Sequence, residues 1–158
     1  MAATVKFKIT GGEVVPEIEM LASATIFDLK KKIESILEVG VSRQTLRFNN
    51  QVLTNERKIE RYNFSQSATL VLLVAPLPGH PRLKICVKSP YELSSNIRVK
   101  ETTLVADLKK EISDRWIVAA KSMTLYRLST KMEEDLPVSD YYVCEGSKIE
   151  VRYNFHSN

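Results

Sequence analysis

Residues 46–74, LRFNNQVLTNERKIERYNFSQSATLVLLV, contain a pattern of apolar residues that returns later in the chain. A shift of 79 positions aligns nine apolar or aromatic pairs: Ile26 with Val105, Leu29 with Leu108, Ile33 with Ile112, Leu46 with Leu125, Leu53 with Met132, Ile59 with Val138, Tyr62 with Tyr141, Leu70 with Ile149 and Leu72 with Val151. Nine matches at one offset indicate an internal duplication. A unit of about 75 residues is the size of a domain, so the sequence predicts two tandem globular domains and not a solenoid.

The composition is typical of soluble globular chains, with 44% hydrophobic and 27% charged residues. The formal net charge of +4 is divided evenly, since residues 1–75 contain 10 basic and 8 acidic groups and residues 76–158 contain 13 and 11. There is no basic tail or block. This distribution favours a mixed, solvated surface and gives only a mild indication of acidic partners.

No apolar run approaches the roughly 20 residues of a membrane helix, and the first residues do not resemble a secretory signal. The two cysteines, Cys86 and Cys144, form no CxxC motif and have no neighbouring histidine. This pattern indicates reduced thiols in a reducing compartment. We therefore expect no membrane association and a cytoplasmic or nuclear location, or both.

The first repeat reads as an α+β domain. Val5–Ile9 alternates apolar and basic residues, which predicts a strand, and Gly11-Gly12 predicts the turn of a hairpin. We expect the return strand to run from about Val14 to Met20. Thr25 is a candidate N-cap for a helix with an apolar stripe at Ile26, Leu29, Ile33 and Leu37. Short strands near 46–48, 52–53 and 69–74 complete the order β-β-α-β-β-β.

The second repeat follows the same order after a short proline-rich linker. The linker region, 75–81, contains three prolines and is expected to be an extended, semi-rigid spacer. Thr103 is the candidate N-cap of the second helix. The expected organisation is a first domain over residues 1–75, a linker over 76–81 and a second domain over 82–158.

Several motifs resemble ubiquitin. Thr25-Ile26-Phe27-Asp28-Leu29-Lys30 is similar to its helix start, Gln44-Thr45-Leu46-Arg47-Phe48 to its third strand, and Tyr62-Asn63-Phe64 with Ser67-Ala68-Thr69-Leu70 to its last turn and strand. In the second repeat, Val138-Ser139-Asp140-Tyr141 resembles the ubiquitin Leu-Ser-Asp-Tyr. The resemblance covers about residues 5–74 and 83–153 and implies two β-grasp domains. It also implies that Tyr62 and Tyr141 are structural residues whose hydroxyls bond a nearby loop backbone.

Two departures from ubiquitin shape the functional expectation. Ubiquitin-type modifiers end in Gly-Gly, whereas this sequence ends in YNFHSN and its only Gly-Gly lies in the first hairpin. We therefore expect a protein that is not conjugated, and a covalent modifier is the last alternative. By the resemblance, the isoleucine on which most ubiquitin partners dock corresponds to Arg47 and Tyr126, and the flanking valine to Leu73 and Arg152. Binding by ordinary ubiquitin receptors is therefore in doubt.

The outward faces of the two sheets are the candidate binding sites. The predicted partner-binding residues are Lys6, Lys8, Arg47, Val71 and Leu73 in the first domain and Lys84, Lys88, Tyr126 and Arg152 in the second. Exposed apolar residues beside arginine are typical of protein interfaces. The leading hypothesis is a monomeric adaptor that binds other proteins, with ubiquitin-pathway or proteasome components as expected partners. The alternative is a nucleic-acid-binding protein that uses the basic sheet faces.

The chain contains no motif for nucleotide, zinc or serine-hydrolase chemistry. Its two histidines, His80 and His156, lie in the linker and the tail, apart from other candidate ligands. We therefore predict no enzymatic activity, no cofactor and no metal site.

Overall fold

The computed structural model describes residues 3–154, and the chain divides into two compact units, residues 1–76 and 77–158. Each unit contains one 12-residue α-helix and one mixed sheet of five strands. The predicted α+β class and the order β-β-α-β-β-β are confirmed in both halves.

The first unit consists of β1 (Thr4–Thr10), β2 (Glu17–Leu21), α1 (Ile26–Leu37), β3 (Gln44–Phe48), β4 (Gln51–Val52) and β5 (Ser67–Val74), in the sheet order β2-β1-β5-β3-β4. The central pair, β1 and β5, is parallel, and the other neighbouring strands are antiparallel. Along β1 the alternating residues Val5, Phe7 and Ile9 are buried. They share the core with the predicted apolar stripe of α1, whose four residues are fully buried.

The second unit repeats this arrangement with β6 (Leu83–Lys88), β7 (Ser94–Val99), α2 (Val105–Trp116), β8 (Met123–Arg127), β9 (Thr130–Lys131) and β10 (Lys148–Tyr153), in the order β7-β6-β10-β8-β9. The offset of 79 does not extend to its first strand. Phe7 pairs with Ile18, which is 11 positions later, whereas Ile85 pairs with Ile97, which is 12 positions later. The second hairpin therefore contains one extra residue, and β6 aligns with β1 at an offset of 78.

The ends of two elements differ from the sequence prediction. The return strand expected from about Val14 begins at Glu17, because Pro16 has no N–H for the ladder, although its carbonyl accepts the Ile9 N–H at 3.0 Å. The prediction that Thr103 is the N-cap of α2 was wrong. The N-cap of α2 is Leu104, which provides no side-chain bond, and the Thr103 hydroxyl instead accepts the Lys100 N–H at 3.0 Å.

The first helix has the predicted cap. The Thr25 hydroxyl accepts the Asp28 N–H at 3.1 Å, and the Asp28 carboxylate accepts the Thr25 N–H at 3.0 Å. These two bonds form a capping box. The pKa of the Asp28 carboxyl is lowered from its usual value, mainly by the hydrogen bond from the Thr25 backbone.

The structural role predicted for the two tyrosines is confirmed. The hydroxyl of Tyr62 accepts the Thr54 N–H at 2.7 Å, and that of Tyr141 accepts the Glu133 N–H at 2.6 Å. Each bond fastens the loop after the short edge strand to the 3₁₀ turn, Ile59–Tyr62 or Val138–Tyr141, that contains the tyrosine. Within residues 3–154, neither helix has the length and apolarity needed to cross a bilayer.

Candidate docking surfaces

The outward face of the first sheet is built by the strand residues that alternate with the buried core. All five of the first-domain residues predicted for partner binding lie exposed on this face: Lys6, Lys8, Arg47, Val71 and Leu73. The strand register brings three of them together. Arg47 lies opposite Val71, and Leu73 lies one position further along the same face, opposite Thr45.

An additional residue, Val52, extends this surface and was missed by the sequence analysis. Val52 on β4 lies opposite Arg47 and is the most exposed of the three, at 52%, compared with 41% for Val71 and 44% for Leu73. We call Val52, Val71 and Leu73 the apolar strip. The signal was present in the sequence, because a two-residue turn at Asn49-Asn50 places residue 52 opposite residue 47.

The backbone around this surface is held by a tight turn and by an aromatic cluster. Asn49 and Asn50 have φ values of 50° and 66°, the left-handed conformation required at both central positions of a type I′ turn. On the core side, the ring of Phe64 contacts those of Phe48 and Phe7 edge-on, with centroids 4.9 and 5.1 Å apart. The end of β3 that presents Arg47 is therefore fixed on both sides.

The two predicted lysines lie away from the apolar strip and opposite carboxylates. Lys6 faces Glu19 and Lys8 faces Glu17 across the β1–β2 pair. Side chains directly opposite each other in an antiparallel pair have Cβ atoms about 4.5–5.5 Å apart, so the opposite charges attract. The formal charges of these four residues therefore balance, although the Glu19 carboxylate accepts its hydrogen bond from the Thr4 hydroxyl, at 2.8 Å.

The outward face of the second sheet has a different chemistry. Lys84, Lys88 and Arg152 are exposed as predicted, and Tyr126 is half-buried. Arg152 and Tyr126 are brought together, with the guanidinium carbon 3.9 Å from the ring centroid. Arg152 also donates to the Glu150 carboxylate at 2.9 Å, and this bond is the main reason why the pKa of its guanidinium is raised.

The sequence model of the ubiquitin family matches residues 4–77. The first domain belongs to the ubiquitin family. The second unit has the same strand order and the same parallel central pair, so the chain contains two tandem ubiquitin-like β-grasp domains.

The two outward faces occupy equivalent positions in the two sheets, but they differ in chemistry. In the first domain two of these outward positions contain Arg47 and Leu73, within an exposed apolar surface. In the second they contain Tyr126 and Arg152, which contact each other. The second face therefore has no counterpart of the apolar strip.

A buried arginine in the second domain was not anticipated. Arg127 is 1% exposed and occupies the position of Phe48 in the first domain, at the offset of 79. Its Nη2 donates to the Tyr142 carbonyl at 3.3 Å. The aromatic cluster of the first domain is thus replaced by a polar contact in the second. The sequence did contain a signal, because the offset of 79 and the alternation with Met123 and Leu125 both place Arg127 on the inward face.

The described residues show no arrangement suited to metal binding. Within residues 3–154, no group of three or more His, Cys, Asp or Glu side chains is placed to hold a metal ion. Neither cysteine forms a disulfide; Cys144 is buried, with its thiol donating to the Tyr142 carbonyl at 3.4 Å, and Cys86 is half-buried.

Proposed function

We propose that this protein is a ubiquitin-like adaptor that binds other proteins non-covalently through the outward face of its first domain. Components of the ubiquitin–proteasome system are the proposed partners. The observation that supports this function best is the apolar strip, which lies beside Arg47 in adjacent rows of the sheet. On such a surface the exposed aliphatic side chains provide apolar area that a partner can bury, and the arginine donates directional hydrogen bonds.

The charge pattern of the first face favours a protein partner over nucleic acid. Nucleic-acid affinity depends on cations that neutralise phosphates. Here Lys6 and Lys8 face carboxylates, and Arg47 lies between Val71 and Val52. This surface therefore has little uncompensated charge and a substantial apolar area, which suits a protein interface.

The test compares two serine substitutions of equally exposed apolar residues in the full chain. Leu73 on the apolar strip is 44% exposed, and Phe27 on helix α1 is 43% exposed. Tagged wild type, Leu73→Ser and Phe27→Ser are used for affinity capture from native lysate and in binding assays with purified proteasome regulatory particles. Each capture is divided into a native and a denaturing wash.

We expect wild type and Phe27→Ser to retain the same partners, and Leu73→Ser to bind them at least about ten-fold more weakly, which corresponds to about 1.4 kcal/mol. The denaturing wash should release these partners. Equal capture by all three proteins would refute the assignment of the surface. Heavier species that survive denaturation and carry the tag would instead indicate covalent attachment.

A further inference from the structure

The strands of the second sheet present an excess of positive charge on their outward face. Six cations lie there against one carboxylate, Glu150: Lys84, Lys88, Arg98, Lys131, Lys148 and Arg152. We call these six residues the cationic face. The equivalent strand face of the first domain has three cations, Lys6, Lys8 and Arg47, against the two carboxylates Glu17 and Glu19.

One facing pair of the edge hairpin shows the difference, because an arginine occupies the second-domain position that is equivalent to a glutamate in the first. Lys84 lies directly opposite Arg98, whereas the equivalent pair in the first domain is Lys6 and Glu19. Like charges directly opposite each other in an antiparallel pair are destabilising. Among the described residues, neither Lys84 nor Arg98 forms an ion pair within the protein. Glu145 is nearby, but its carboxylate accepts the Lys84 backbone N–H at 2.9 Å.

We propose that the cationic face binds an acidic, extended segment of a partner protein. Lys84 and Lys88 are four residues apart on one strand, a distance of about 13 Å, with Arg98 and Lys148 on the two flanking strands. In an extended peptide, alternate side chains lie on one side about 6.6–6.8 Å apart. Carboxylates at every second position would therefore meet successive rows of this face.

One contact favours a peptide over single-stranded nucleic acid, and two others cover part of the sheet edge. Single-strand binding proteins stack bases on exposed aromatic rings, but one side of Tyr126 is covered by the Arg152 guanidinium. At the free edge of β7, Arg115 Nη1 donates to the Asn96 carbonyl at 3.4 Å, and Trp116 Nε1 donates to the Ser95 hydroxyl at 2.8 Å. Helix α2 thus covers part of this strand edge, which hinders a peptide from pairing with β7 as an added strand. The outward side chains therefore remain as the recognition surface. This site is separate from the apolar strip and does not depend on the function proposed for the first domain.

The test uses the full chain and a fluorescein-labelled peptide in which aspartate and serine alternate over about twelve residues, long enough to span a strand. Binding is followed by fluorescence anisotropy at an ionic strength of about 0.05 M, where screening is weak, and again at about 0.5 M. The test variant is Arg98→Glu, which places a carboxylate opposite Lys84. Arg61→Glu is the matched control, because it makes the same change in charge at an exposed position of the first domain that belongs to neither proposed surface.

We expect Arg98→Glu to weaken peptide binding by at least about ten-fold and Arg61→Glu to change it by less than about two-fold, and we expect high salt to abolish binding. The urea unfolding midpoint of Arg98→Glu, measured by the fluorescence of Trp116, should equal or exceed that of the wild type, because the variant places opposite charges in the facing pair. A loss of binding could then not be attributed to misfolding. If both variants weakened peptide binding equally, the affinity would depend only on the net charge of the chain, and the proposal would be overturned. Tighter binding of a single-stranded RNA oligonucleotide of the same length, lost in Arg98→Glu, would also overturn it in favour of nucleic acid.

Discussion

The hydroxyl of Tyr141 makes a bond whose contribution to stability can be isolated with one substitution. This side chain is fully buried, and its oxygen accepts the Glu133 N–H at 2.6 Å. Tyr141→Phe keeps the ring and leaves this part-buried amide without its acceptor. A buried donor that loses its partner costs about 1–3 kcal/mol. With a urea m-value of about 1 kcal/mol/M for a small domain, we expect the unfolding midpoint to fall by about 1 M or more.

The assay uses the intrinsic fluorescence of Trp116, the single tryptophan of the chain, which reports the unfolding of the second domain. Tyr91→Phe is the control, because it removes a hydroxyl from the same domain at a side chain that is 63% exposed. Its midpoint should equal that of the wild type. If Tyr141→Phe shifted the midpoint no more than Tyr91→Phe, the buried hydroxyl bond would not be the element that secures this loop.

Four further predictions follow from backbone geometry and capping. Ile117 ends helix α2 with a φ of 54° and is 92% exposed. Ile117→Gly should therefore stabilise the second domain by about 1 kcal/mol in the same urea assay. A lower stability of this variant would mean that the isoleucine side chain packs against the domain. Thr25→Ala should cost about 1 kcal/mol at neutral pH, measured by amide hydrogen exchange in the first domain. The folded-state pKa of Asp28 is depressed mainly by the backbone N–H of Thr25, which Thr25→Ala keeps. The stabilisation by this carboxylate is present above the unfolded pKa of about 3.9 and is lost as the pH falls through the folded value, so the stability difference between wild type and Asp28→Ala should narrow in acid. Gly11→Ala should destabilise the first domain by more than about 2 kcal/mol, because Gly11 has a φ of 121° and an added Cβ would lie against the Leu72 carbonyl. An unchanged melting temperature of this variant would refute the prediction.

The fold of both domains was predictable from local patterns. The alternation in Val5–Ile9 and the stripe at Ile26, Leu29, Ile33 and Leu37 each depend on a few neighbouring residues, and the side-chain periods of strand and helix fix which residues are buried. The duplication then extended the assignment to the second half. The boundary errors occurred where one bond decides the outcome, as at Thr103, whose hydroxyl caps a turn and not the helix.

The candidate surfaces were predictable residue by residue but not as arrangements of charge. Alternation alone placed Lys6 and Lys84 on outward faces, and both are exposed. It could not show that Lys6 faces Glu19 while Lys84 faces Arg98, since that depends on how each hairpin closes. The extra residue of the second hairpin lies beyond these pairs, towards the turn, so both hairpins keep the same register, and the facing pairs differ because Arg98 stands where the first domain has Glu19.

The sequence by itself determined the duplication, the α+β class, the confirmed helix cap at Thr25 and the outward position of the predicted residues, because each depends on local spacing or on self-similarity. The tertiary structure alone decided which group the buried Arg127 contacts, and that the first outward face is apolar with balanced charge while the second is cationic. These properties depend on which side chains meet across strands that are distant in sequence, and a one-dimensional pattern does not record those contacts.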